Sequence, residues 1–95
     1  MRQQELYNYV LRYGRKLDLV GDHYWSWLEF ISTGRVREGE ALYVILSPDQ
    51  YEEKPREVVG PIDNQEALVN FRATKAVWRN YEMYSCVPPP FELLV

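Results

Sequence analysis

The sequence predicts a small α+β domain, a mostly antiparallel sheet with helices packed on one face in the order α-β-β-β-α-β. Three stretches carry this prediction. Residues 3–13 repeat apolar side chains at helical spacing, Ala41 to Ser47 is an almost unbroken apolar run, and Val58 to Arg79 reads as a strand, a turn and a capped helix. Layering helices on such a sheet is the economical way to bury both kinds of apolar surface.

In the first stretch Leu6, Val10, Tyr13 and Leu17 form one stripe, with Tyr7 and Leu11 beside it, and Gly14 is the natural stop. Arg12, Arg15 and Lys16 gather at the end, where the helix dipole favours cations. The aromatic segment from Gly21 to Gly34 admits two forms. As a helix it is capped by Asp22 and presents Tyr24, Trp27, Leu28 and Ile31 on one face; as a strand it alternates Tyr24, Ser26, Leu28 and Phe30 against Trp25, Trp27, Glu29 and Ile31. Its aromatic and β-branched content favours the strand. Thr33 to Glu40, with glycines at 34 and 39, then serves as a hairpin connection.

Ala41 to Ser47 has the continuous apolar pattern of a central strand covered on both faces. Residues 48–57 carry two prolines among polar side chains and read as an exposed loop. Val58, Val59 and Ile62 favour a strand, and Gly60-Pro61 ends regular pairing. Asp63 stands at the N-cap of the next helix with Glu66 three residues on, and Ala67, Phe71, Thr74 and Trp78 make its apolar stripe. Lys75 and Arg79 suit its C-terminal end and Asn80 its closing residue, and Tyr81 to Val87 is a last strand. Residues 1–87 thus form the domain. Residues 88–95 are a proline spacer and an apolar tail, Phe91 to Val95, which folds back on the body or is offered to a partner; folding back is expected, since a contiguous apolar segment is costly in water.

Ninety-five residues, 46% apolar and 26% charged, suit one domain with a modest core in which 15% aromatic residues matter. A net charge of -3 is too small for an acidic mimic of nucleic acid and of the wrong sign for a chain held to phosphate by bulk charge. One cysteine, Cys86, excludes an internal disulfide framework. The first residues lack the pattern of a secretory signal, and no run approaches the ~20 apolar residues of a membrane span, so a cytoplasmic chain is expected.

No catalytic set is evident. A thiol mechanism needs Cys86 with His23, which lie far apart in sequence with no local signature around either. Asp22 and His23 are adjacent, without a second histidine or a cysteine pair at zinc spacing. Glu38 with Glu40 and Glu52 with Glu53 sit in polar stretches that do not separate an acid from a base, and Gly34 to Gly39 lacks the lysine and helix of a phosphate loop. No cofactor and no metal are implied.

The order helix, three strands, helix resembles that of the double-stranded RNA-binding domain, with Arg35 and Arg37 in the connection between strands. The departure lies at the second helix, where that family directs lysines at phosphates and this chain has Asp63-Asn64-Gln65-Glu66. Arg12, Arg15, Arg35 and Arg37 beside exposed aromatics remain the alternative, a nucleic-acid binder that stacks bases. The leading expectation is a small protein-binding module without enzymatic activity, of the kind that serves as a phage or mobile-element inhibitor of a host complex or as an accessory subunit. Its anchors are Tyr24, Trp25, Tyr51 and Phe91, while Trp27 and Trp78 belong to the core.

Overall fold

The computed structural model describes residues 3–18, 26–47, 56–74 and 81–90. The elements are α1 (Gln3–Tyr13), β1 (Arg15–Lys16), α2 (Trp27–Ser32), β2 (Ala41–Leu46), β3 (Glu57–Ile62), α3 (Gln65–Thr74) and β4 (Tyr81–Cys86). All strand pairs are antiparallel, and the sheet order is β1-β4-β2-β3. The α+β class and the antiparallel sheet therefore hold. The element order differs, because the aromatic segment contributes a helix and a two-residue strand precedes it.

Strand β2 explains the layering. Ala41, Tyr43 and Ile45 point to one side and pack with Val10 of α1, Val58, Tyr84 and Cys86. Leu42 and Val44 point to the other and pack with Phe30 of α2, Leu68 and Phe71 of α3, Ile62, Met83 and Leu17. Period-two alternation along a strand buried throughout demands a covering layer on each side. The helices accordingly divide between the two faces, α1 on one and α2 with α3 on the other, instead of sharing one.

Helix α1 ends before Gly14 as expected, but Tyr13 is 61% exposed and Leu17 lies beyond the helix in the opposite core. Its inward side is Leu6, Tyr7, Tyr9 and Val10. Helix α2 starts at Ser26, whose Oγ accepts a hydrogen bond from the Glu29 N–H at 3.2 Å. Ser26 and Glu29 have the spacing of a capping box, and this local signal prevails over the β preference of the aromatics. Phe30 turns inward with Trp27 half-buried beside it, their rings 6.2 Å apart, whereas Leu28 and Ile31 face out. At its end Gly34 takes φ +72°, and the Val36 N–H reaches back to the Phe30 carbonyl at 3.1 Å. The cap of α3 is one residue later than expected: Asn64 Oδ1 accepts from the Ala67 N–H at 2.8 Å, and Asp63 Oδ1 accepts from Asn64 Nδ2 at 2.9 Å. Leu68 joins Phe71 as its inward pair, with Ala67 half-buried alongside. Lys75, Trp78, Arg79, Asn80, the loop over 48–55 and the tail over 91–95 lie outside the described residues. In the proline spacer Pro89 is buried and its two neighbours are exposed.

Gly60-Pro61, joined by a cis peptide bond, interrupts the ladder without ending β3. Leu42 pairs with Ile62 and Val44 with Val59, so β3 carries one extra residue there. That bulge shifts the alternation and delivers Ile62 to the same core as Val59. At Gly60, φ is +153°, and a Cβ would stand 2.5 Å from Tyr43 Cδ1 and 2.9 Å from the Leu42 carbonyl oxygen. The bulge and the Tyr43 ring thus require glycine.

Two predictions follow from this packing. Gly60→Ala is expected to lower the unfolding free energy by about 2–3 kcal/mol in urea denaturation, against about 1 kcal/mol for Gly34→Ala, where only the positive φ is at stake. Equal losses would show that the approach to Tyr43 is not the constraint. The second concerns Tyr43, fully buried, whose hydroxyl has no hydrogen-bond partner among the described residues. Burial, then the neighbouring Cys86, hold its phenol well above the ordinary 10.0. Folding therefore favours the neutral form, a contribution complete below pH 10.0 and lost as pH rises toward the folded value. Cys86, raised from 9.0 by burial and then by Glu40, acts in the same direction. The melting temperature should stay level on this account up to pH 9.0 and fall above it. Tyr43→Phe should flatten the fall and add about 1 kcal/mol at neutral pH by removing a buried, unsatisfied hydroxyl.

Candidate functional site

Two surfaces of the fold merit attention, a groove beside β3 and a polar cluster at the β1 end of the sheet. The groove, about 530 Å³, runs between β3 and α3. Val59, Pro61 and Ile62 form one wall, and Ala67 and Phe71 form the other. Glu57 and Asn70 supply its polar groups. Alternation along β3 explains why Glu57 faces this groove while its neighbour Arg56 turns to the other face, where its guanidinium donates to Tyr7 Oη at 2.5 Å. The bulge at Gly60-Pro61 sets the floor. None of these residues was picked out from the sequence as a site; the only signal was the unusual Gly-Pro inside an apolar strand.

Across α3 from the groove, Leu28 (73% exposed), Ile31 (45%) and Val69 (49%) stand on the outer side of the α2–α3 layer. The layer is held at its edge by the Trp27 N–H, which donates to Gln65 Oε1 at 2.5 Å. Val69 is one turn from Gln65 and so lies on the α2 side of α3.

At the β1 end the Arg15 guanidinium is bonded within the fold. Arg15 Nη2 donates to the Arg35 carbonyl at 2.7 Å and more weakly to the Gly34 carbonyl at 3.5 Å, and lies 3.7 Å from Glu40. The carboxylate of Glu40 accepts a short hydrogen bond from Ser85 Oγ, which is buried opposite Arg15 in the β1–β4 ladder. This chain of contacts ties the α2–β2 loop to two strands. Arg35 is thereby placed beside Arg15, and the Arg37 carbonyl accepts from the Glu40 N–H within the same loop. Arg12 sits apart on the last turn of α1, its guanidinium 5.4 Å from the Tyr13 ring, which in turn lies 4.9 Å from the ring of Tyr9. Lys16 pairs with Glu82 at 3.5 Å. Arg15 is therefore engaged by two carbonyls and Glu40, while Arg12 stands on another element against Tyr13.

Cys86 is 1% exposed, and its Sγ donates to the Val87 carbonyl. Burial followed by Glu40 pushes the thiol up, which opposes the thiolate a nucleophile needs. Among the described residues no three His, Cys, Asp or Glu side chains group to hold a metal ion, and no helix is long and apolar enough to cross a membrane. Tyr24, Trp25, Tyr51, Phe91 and His23 lie outside the described residues.

The Arg15 cluster yields a direct test. Arg15→Ala is expected to cost about 1 kcal/mol, the scale of a partly exposed charged contact, and to accelerate amide exchange at Val36 and Glu40 in the tethered loop. Unchanged exchange at both would mean that the loop holds itself.

No protein-family model matches the chain, and no curated protein or solved structure shows significant similarity to it.

Proposed function

We propose that the chain is a protein-binding module without enzymatic activity, and that the β3–α3 groove receives an apolar side chain of its partner. The groove carries this reading: its walls are apolar, Glu57 and Asn70 can orient a ligand's polar groups, and it is formed by a strand and a helix rather than by a loop. The exposed Leu28, Ile31 and Val69 widen the apolar surface on the same layer. A raised thiol pKa gives no support to a cysteine nucleophile, and the bonds of Arg15 to the Arg35 carbonyl and Glu40 draw that guanidinium away from a phosphate track. A role as inhibitor or accessory subunit of a larger assembly in the cytoplasm fits a chain of this size. The second reading is single-stranded nucleic acid, favoured by one observation, the exposed Tyr13 beside Arg12.

One experiment separates the two. Wild-type protein and an Ala67→Leu variant, which fills the groove on a helix-compatible site, are used to capture ligands from native lysate with and without nuclease. The module reading expects a discrete protein that survives nuclease and is lost with Ala67→Leu, while the variant's melting temperature stays within a few degrees. Capture abolished by nuclease and insensitive to Ala67→Leu would replace it with the nucleic-acid reading.

A further inference from the structure

Strand β3 lies at the outer edge of the sheet, and an edge strand turns the N–H and C=O of alternate residues away from its neighbour. At Val58 those two groups meet the side chain of Gln3: the Val58 N–H donates to Gln3 Oε1 at 2.8 Å, and Gln3 Nε2 donates to the Val58 carbonyl at 3.2 Å. Both Val58 groups therefore point out of the sheet, and Val58 faces Ile45 as a pair that exchanges no ladder hydrogen bonds. A carboxamide has one donor and one acceptor side by side, as a backbone amide pair has. Gln3 fills the place that a residue of a further strand would take.

The rest of the edge is already poorly suited to pairing. Two residues beyond Val58 the strand bulges at Gly60, and Pro61 has no N–H to offer. The opposite edge, β1, is two residues long and carries Arg15 and Lys16. Among the described residues, Val58 is thus where regular pairing with an added strand can begin, and Val58-Val59 has strong β preference.

We propose that Gln3 is an edge guard: its carboxamide withholds the Val58 backbone from a second copy of this chain, which would otherwise pair β3 to β3 in antiparallel fashion about Val58. The arrangement is self-complementary, since one donor and one acceptor on each copy satisfy the other across a two-fold axis. The guard is built into α1, so the helix that covers one face of the sheet also closes its edge. The proposal is independent of the groove, which lies on the α3 side.

The test compares wild type with Gln3→Ala by analytical ultracentrifugation over a concentration series and by residue-resolved amide exchange. Wild type is expected to be monomeric with Val58 protected. Gln3→Ala is expected to form a concentration-dependent dimer, with the Val58 amide exchanging about ten-fold faster in dilute solution and protected again in the dimer. Should Gln3→Ala lose its far-UV helical signal, Gln3→Met, which keeps the length and helix preference of the side chain without its donor and acceptor, decides by the same readouts. A monomeric variant at every concentration, or a wild type already paired through β3, overturns the proposal.

Discussion

The burial of both faces of β2 governs the arrangement around it. Leu42, Tyr43, Val44 and Ile45 are almost wholly withdrawn from water, and burying each such side chain is worth about 1.5–3 kcal/mol. A strand of this kind needs a neighbour on each side to satisfy its backbone and a layer above and below to cover its side chains. β3 and β4 supply the first, α1 and the α2–α3 pair the second. In a chain of 95 residues this leaves little to spare, so helices as short as six residues are recruited as covers. The bulge in β3 belongs to the same requirement. Without its extra residue, Ile62 would fall on the wrong side of the sheet opposite Leu42.

Polar side chains are used in this fold largely to finish what the sheet leaves open. Gln3 closes the outer edge at Val58, and Arg15 spans a loop whose carbonyls have no strand to bond. Glu40 and Ser85 join that contact to the interior of the sheet. A guanidinium offers several donors in a plane and suits converging carbonyls as well as it suits anions, and Arg15 is used in the first way. Among the described residues, apolar side chains line the groove beside β3 and stand exposed on α2 and α3. Tyr43 is the exception to this economy, a hydroxyl carried into the core with no partner among the described residues.

Much of the local structure was legible from residue order. The end of α1 at Gly14, the span of β2 and the strand character of residues 58, 59 and 62 rest on short-range preferences that the tertiary fold does not oppose. The signal for the helix over Trp27–Ser32 is the Ser26 and Glu29 spacing, whereas the sequence reading put its helical alternative on Asp22 and preferred a strand on aromatic content. Asn64 and Asp63 compete for one cap, and adjacent residues of equal capping ability are not resolved by pattern alone. The groove was not legible, because Val59, Pro61, Ala67 and Phe71 have no unusual chemistry and become a site only by facing one another.

By itself the sequence determined the first helix, the strands at 41–46, 57–62 and 81–86, the helix that follows Asp63 and Asn64, and which strand is buried throughout. Periodicity and capping are properties of neighbours within a few residues, and they carry that information directly. Tertiary structure alone decided the sheet order, the division of helices between two faces, and the partners of Gln3 and Arg15. Those outcomes join positions as distant as Gln3 and Val58, and a residue's period along the chain says which way it faces but not what it will meet.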